Sequence, residues 1–154
     1  NRPGHFEGVL AVINQFLLNL KPKYMFLGEK DYQQIFLIKK FIKKKFKTKI
    51  ISCKIVRYKN LLPLSSRNLL LSNKNLNKSM LVSNFLIKFY KDLKKNFKNK
   101  NKLEKIKTDI LNTGIKLEYF ELRNKNDLSR KYNKNNFKIF IAYYIKNVRL
   151  IDNI

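Results

Sequence analysis

A strand, a tight turn, a helix and a second strand follow one another over residues 24–56, and this order constrains the fold more than any other feature of the 154-residue chain. Residues 24–27 are a short apolar run, and residues 49–56 are rich in β-branched side chains, so both segments predict strands. Between them, apolar residues at helical spacing predict a helix: Ile35, Ile38, Phe41, Ile42 and Phe46. Short connections of this kind are typical of a parallel sheet, whose ligands collect beyond the carboxyl ends of the strands. The turn at residues 28–31 lies at such an end and is the first candidate for a binding site.

The segments before and after residues 24–56 predict two domains, with the boundary in the sequence near Val56. A largely buried helix is predicted over residues 7–20, before Pro22. After a loop at residues 61–68, the pattern predicts a long helix over residues 79–97, a polar connector, a shorter helix over residues 103–111 and strands at residues 115–122 and 137–145. Gly114 fits the left-handed position that commonly ends a helix. The second domain is therefore predicted to be α+β.

The formal charge of +25, from 35 basic and 10 acidic residues, raises nucleic-acid binding as an alternative function. Only six of the 35 basic residues are arginine, so 29 are lysine. Interfaces with nucleic acids favour arginine, whose planar guanidinium binds phosphate or guanine through two hydrogen bonds. Lysine-rich segments are more often solvated surfaces than specific sites, so we expect no nucleic-acid partner.

Cys53 is the single cysteine, so an internal disulfide is excluded and a reducing compartment is expected. No apolar run approaches the ~18 residues of a membrane-spanning segment, and no signal peptide opens the chain. These features predict a cytoplasmic protein. The chain starts at Asn1 rather than Met and enters a helical pattern at once, which predicts that it is a piece of a longer protein.

Four sequence strings, which we call the four landmarks, resemble the C-terminal half of the pantothenate synthetase (pantoate–beta-alanine ligase) family in order and spacing. They are residues 2–9 (RPGHFEGV), 26–34 (FLGEKDYQQ), 64–68 (LSSRN) and 149–153 (RLIDN). The GEKDYQQ string is the most specific, and its combination with SSRN makes a chance match improbable. The resemblance covers the chain from end to end.

The resemblance implies an α/β fold in which residues 1–56 are the C-terminal part of a Rossmann-like nucleotidyltransferase domain and residues 57–154 are a small α+β lid domain. It implies an ATP-dependent ligase that condenses pantoate with beta-alanine through a pantoyl adenylate and releases AMP and pyrophosphate. ATP and Mg²⁺ are the implied cofactors, and a homodimer is the implied assembly of the complete protein. Such chemistry requires positioned cations and backbone donors around phosphate.

In the second landmark, the resemblance assigns Lys30 a catalytic role at the phosphates of ATP. It also assigns Asp31 and Gly28 to ATP binding and Gln34 to pantoate binding. A helix N-terminus is a natural place for phosphate, and glycine allows a ligand to approach the backbone. The structural alternatives are a solvated lysine for Lys30 and a capping box formed by Asp31 and Gln34.

In the third landmark, the resemblance assigns Ser65, Ser66 and Arg67 to a catalytic, ATP-binding loop that closes on the triphosphate, and it places Val56 near the adenine. The arginine fork suits phosphate oxygens. The alternative for the serines is a loop and helix cap. We expect this loop and the turn bearing Lys30 to form the two walls of one phosphate-binding crevice.

Two departures from the family pattern affect the expected activity. Where the family usually shows Arg-Glu-x-Asp-Gly-Leu-Ala, this chain reads RYKNLLP at residues 57–63, so we expect Leu61 to lose access to a positive φ and Pro63 to stiffen the loop. The family's upstream half, with its HxGH-type motif, is also missing, since His5 is the single histidine. We therefore expect the isolated chain to be inactive. The alternatives are a basic RNA-binding module and a decayed relic of the ligase.

Overall fold

The computed structural model describes residues 4–154, apart from the side chain of Lys44. The chain forms two compact units, Asn1–Ile55 and Val56–Ile154. The α/β class with a parallel sheet is confirmed. Each unit has its own sheet and its own core, and the two are described in turn below.

The first unit contains helix α1 (His5–Leu20), strand β1 (Tyr24–Gly28), a 3-10 helix (Glu29–Asp31), helix α2 (Tyr32–Lys45) and strand β2 (Lys49–Cys53). The two strands pair in parallel, with Tyr24 opposite Lys49 and Gly28 opposite Cys53, as the strand–helix–strand pattern predicts. β2 is three residues shorter than predicted. The carboxyl ends of both strands therefore lie side by side at Gly28 and Cys53.

The core of the first unit lies on one face of this sheet, where Leu17, Ile38 and Ile42 are buried. The opposite face is open, because Phe26 of β1 is 67% exposed. The predicted burial of α1 is wrong for Val12, Phe16 and Leu20, which are exposed. The physical reason is that a two-stranded sheet with one covered face offers room for only one stripe of each helix.

The second unit begins with an isolated antiparallel bridge between Arg57 and Pro63 and a 3-10 helix (Ser66–Leu70). Its regular elements are helix α3 (Asn73–Lys95), a 3-10 helix (Phe97–Lys102), helix α4 (Leu103–Leu111) and strands β3 (Lys116–Asn124), β4 (Phe137–Ile145) and β5 (Val148–Asn153). The sheet is antiparallel in the order β3-β4-β5. As predicted, Gly114 follows α4 with a left-handed φ of 76°.

One hydrophobic core joins the sheet of the second unit to α3 and α4. α3 contributes the stripe Val82, Leu86, Phe89 and Leu93, and the central strand β4 is buried along most of its length. Ser79 and Tyr143 are buried within this interface, and their hydroxyl oxygens lie 3.1 Å apart in a hydrogen bond. This bond fixes α3 against β4 at one defined register.

α3 and β5 are the elements of the second unit that differ most from prediction, and β3 ends two residues later than predicted. α3 begins at Asn73 rather than Ser79, because Ser72 caps it by accepting a hydrogen bond from the Asn75 backbone N–H. β5 was not predicted as a strand, although it forms the edge of the sheet and contains the fourth landmark.

Candidate functional site

In the first unit, four predicted site residues follow the carboxyl end of β1 within seven positions of the chain: Gly28, Lys30, Asp31 and Gln34. Gly28 is the last residue of the strand, Lys30 and Asp31 belong to the 3-10 helix, and Gln34 lies in the first turn of α2. Lys30 and Gln34 are half-buried and Asp31 is exposed. α2 begins at this point, and the N-terminal end of a helix favours anions.

Gly28 has an ordinary extended backbone, with φ −72° and ψ 128°. A Cβ placed on Gly28 would meet no atom within 4 Å. Neither the backbone conformation nor the packing of the unit therefore requires glycine at this position. The space beside the end of β1 is open to a ligand.

The proposed capping box at the start of α2 is absent. Asp31 occupies the cap position with φ −98° and ψ 53°, but its side chain makes no capping hydrogen bond. In the next residue, burial, and to a smaller extent the nearby Glu29 carboxylate, raise the pKa of the Tyr32 hydroxyl. Tyr32 is thus a neutral hydrogen-bond donor at physiological pH.

The second unit places Ser65, Ser66 and Arg67 at the start of its first 3-10 helix. The Ser65 hydroxyl accepts a hydrogen bond from the Arg67 backbone N–H at 3.2 Å, so Ser65 caps this helix, as the structural alternative holds. Ser66 is exposed. Nη1 of Arg67 donates to the backbone carbonyl of Arg149 in β5 at 2.8 Å, so the guanidinium is partly held by the sheet.

Val56, the predicted adenine neighbour, is the first residue of the second unit and is 64% exposed. Its backbone carbonyl accepts a hydrogen bond from the Leu64 N–H at 2.9 Å. Val56 therefore closes the base of the loop that leads to Ser65.

The expectation that Leu61 cannot adopt a positive φ is wrong. Leu61 has φ 71°, in the left-handed region where glycine is usual. Its N–H donates to the Tyr58 carbonyl, and its own carbonyl accepts from the Arg57 guanidinium, both at 2.9 Å. Leucine thus adopts a left-handed backbone conformation at the position where the family pattern has glycine.

Sequence reasoning missed the pairing of Arg57 with Asp152. Both guanidinium Nη atoms donate to the two oxygens of the Asp152 carboxylate, at 2.8 and 2.7 Å. Asp152 belongs to the fourth landmark, which marked it as a residue of interest without giving it a role. A separation of 95 positions hides the pairing from any local pattern.

Within the first landmark, Arg2 and Pro3 lie outside the described residues, and His5 is the first residue of α1. Between residues 4 and 154, no group of three or more His, Cys, Asp or Glu side chains gathers as candidate metal ligands. None of the helices in that range has the length and apolar character that crossing a bilayer requires.

The family model described as Pantoate-beta-alanine ligase matches residues 1–154. The chain belongs to this family. Among curated relatives of the ligase family, the pantothenate synthetase of Francisella tularensis subsp. mediasiatica is 44% identical over 156 residues, which cover 99% of this chain and 51% of the relative. The pantothenate synthetase of Flavobacterium psychrophilum is 36% identical over 162 residues, which cover all of this chain and 56% of the relative.

Solved structures of the ligase family agree with these matches. The pantoate–beta-alanine ligase of Francisella tularensis, solved in complex with beta-gamma ATP and beta-alanine, has a TM-score of 0.79 and 40% identity and matches 99% of this chain. The pantothenate synthetase of Thermus thermophilus has a TM-score of 0.86 and 25% identity over the same share. This chain spans 51% and 56% of those two structures, or about half of each.

Proposed function

We propose that the protein that includes this chain is a pantothenate synthetase, which condenses pantoate with beta-alanine at the expense of ATP. The observation that carries the proposal is the match of the whole chain to the ligase family, together with the position of the second landmark at the carboxyl end of a parallel strand. That position is where ligands bind in open parallel sheets.

The proposed reaction has two steps. In the first, a carboxylate oxygen of pantoate attacks the α-phosphorus of ATP, a new P–O bond forms, and the bond to pyrophosphate breaks. In the second, the amine of beta-alanine attacks the carbonyl carbon of the adenylate, the bond to AMP breaks, and the nitrogen loses a proton. Both steps shift negative charge among phosphate oxygens, so cations and N–H donors fixed around them lower the barrier.

Lys30 is the proposed cation of the first unit. It lies in the 3-10 helix that precedes α2, so its ammonium and the N–H groups at the start of the helix can act on the same phosphate. Asp31 is exposed and makes no capping bond, which leaves its carboxylate available to a ribose hydroxyl. Gln34, one turn into α2, can hold pantoate through its neutral amide.

Ser65, Ser66 and Arg67 are the proposed phosphate ligands of the second unit. Ser66 is exposed, and Arg67 has one Nη atom bound to the Arg149 carbonyl while its fork has further N–H groups for phosphate. Val56 is proposed to contact the adenine through its exposed side chain or backbone. Mg²⁺ would enter with the phosphates of ATP, whose oxygens are the ligands that this cation prefers. A homodimer of the complete protein and a cytoplasmic location are also proposed.

The proposed function can be tested by joining this chain to the segment of the Francisella tularensis enzyme that it does not match, which gives a hybrid ligase. We expect pantoate-dependent release of pyrophosphate from ATP by the hybrid and none by the isolated chain. Lys30→Ala in the hybrid should lower this rate by roughly 100-fold or more, the range for loss of one electrostatic contact to a transition state. Thermal unfolding should stay within a few degrees of the parent.

Lys43→Ala is the matched control, because Lys43 is an exposed lysine on α2 of the same unit and removes the same charge. It should leave the rate unchanged. Equal losses of activity in the two variants would show that general charge, and not the position of Lys30, supports the reaction. A folded hybrid without pantoate-dependent turnover would contradict the proposed function itself.

A further inference from the structure

The ion pair between Arg57 and Asp152 is the most buried ion pair among the described residues. The side chain of Asp152 is 2% exposed and that of Arg57 is 19% exposed. Nη1 lies 2.8 Å from Oδ2, and Nη2 lies 2.7 Å from Oδ1, which is the parallel fork geometry of the strongest arginine–carboxylate pairs. Burial of a charge is unfavourable unless its partners satisfy it, so each member of the pair requires the other.

Each Nη atom of Arg57 also donates to a backbone carbonyl. Nη1 contacts the Leu61 carbonyl at 2.9 Å, and Nη2 contacts the Asn153 carbonyl at 3.2 Å. One guanidinium therefore ties the end of β5 to the turn that contains Leu61, whose φ is positive. A lysine ammonium could keep the charge but could not reproduce these four directed bonds.

The turn held by Arg57 leads directly into the segment Ser65–Arg67. Arg57 forms a backbone bridge with Pro63, and the buried side-chain amide of Asn68 donates to the Pro63 carbonyl at 2.9 Å. Beyond the serines, Arg67 donates to the Arg149 carbonyl of β5. The segment is thus fixed to β5 directly at Arg149, and the turn that precedes it is fixed to β5 at Asp152, three residues further along the strand.

We propose that Arg57 and Asp152 are positioning residues, which hold the Ser65–Arg67 segment in place on β5 without touching the nucleotide. This inference rests on the proposed function only for the role of that segment in ATP binding. The fourth landmark, which has no part in the proposed chemistry, then acts by supplying the carboxylate and the carbonyls that anchor the loop.

The test uses amide hydrogen exchange on the 154-residue chain. Arg57→Lys should speed the exchange of the loop amides of Tyr58, Leu64 and Asn68 by about 10- to 100-fold, the range that corresponds to losing one hydrogen bond to a charged group. The amides of β3 and β4 should keep their protection. Uniform loss of protection through the sheet, or unchanged loop exchange, would overturn the proposal.

A second variant separates loss of the ion pair from global unfolding caused by a buried charge without a partner. The double change Arg57→Leu with Asp152→Leu leaves no lone buried charge, and apolar replacements of buried pairs are often tolerated. It should keep β3 and β4 protected and expose the loop. Glu121→Gln is the control, because it breaks another arginine–carboxylate pair on the same sheet, with Arg123 Nε 2.8 Å from the carboxylate, and should leave the loop amides unchanged.

In the hybrid ligase, Arg57→Lys should raise the KM for ATP by at least roughly fivefold while the KM for pantoate stays constant. Simple destabilisation would instead lower the apparent kcat and leave both KM values unchanged, and that result would overturn the proposal. If the unsubstituted hybrid shows no turnover, the proposed function fails, and the exchange experiment still decides whether Arg57 and Asp152 position the loop.

Discussion

Leucine at a left-handed position gives a quantitative prediction about the stability of the second unit. At residue 61, a Cβ in the left-handed region costs roughly 1–2 kcal/mol. Glycine avoids this cost but loses about 0.5–1 kcal/mol through its greater freedom in the unfolded chain. Leu61→Gly should therefore be more stable than Leu61→Ala by about 0.5–1 kcal/mol. The comparison with alanine removes the contribution of the leucine side chain, which both variants lack.

The control is the same pair of substitutions at Lys88, an exposed position inside α3. In a right-handed helix, glycine is less stable than alanine by about 1 kcal/mol, so the sign should reverse. The difference between the two sites should be about 1.5–2 kcal/mol. Native-state exchange of the slowest β4 amides gives the unfolding free energy of this unit directly.

The reasoning would be refuted if glycine were less stable than alanine at both positions. In that case, the positive φ of Leu61 would store no strain. The hydrogen bond from Arg57 to the Leu61 carbonyl would then not be needed to hold residue 61 at a positive φ.

Two further predictions concern the second unit. In urea titrations, Ser79→Ala should lower the free energy of unfolding by roughly 1–3 kcal/mol, because it leaves the buried Tyr143 hydroxyl, whose pKa is raised by burial, without its hydrogen-bond partner. Ser83→Ala should be neutral or stabilising in the same assay, since the buried Ser83 hydroxyl makes no hydrogen bond within the described residues. The hydrogen bond from Arg149 lowers the pKa of Glu118 in the folded chain. The ion pair should therefore stabilise the fold fully above the pKa of glutamate in the unfolded chain, about 4.3, and this stabilisation should be lost as pH falls through the lower pKa of the folded chain. Glu118→Gln should thus be less stable than the parent at pH 7 and equal to it once the pH falls below the folded pKa of Glu118, and a gap that persists in acid would contradict this.

The parts of the fold that sequence predicted correctly are those specified by local periodicity. The parallel pairing of β1 and β2 follows from short connections, and β4 was predicted with correct bounds because apolar residues run along its whole length. The predicted start of α3 is six residues too late, since the segment before Ser79 is rich in Asn and Lys and its apolar content is low. There the cap at Ser72, and not periodicity, sets the start of the helix.

The contacts that organise the loop of the second unit could not be predicted, because they join distant positions. Arg57 and Asp152 are 95 residues apart, and Arg67 and Arg149 are 82 residues apart. The sequence around each of these residues shows the charged or polar group but gives no sign of its distant partner. The error at Leu61 has a different origin, because Arg57 is only four residues away: the expected loss of a positive φ considered residue 61 alone and left out the guanidinium that binds its carbonyl.

The landmarks also differ in whether the folded structure requires their residues. This difference separates residues that stabilise the fold from residues that are expected to bind a ligand. Asp152 is buried and satisfies a guanidinium, so the fold itself accounts for its identity. Gly28 has an ordinary φ with open space beside it, and Asp31 caps no helix, so the fold accounts for neither. Residues that belong to a family string but that the structure does not require are the ones expected to serve a ligand. By this criterion we propose that the turn after β1, and not the edge strand β5, contains the reactive part of the site.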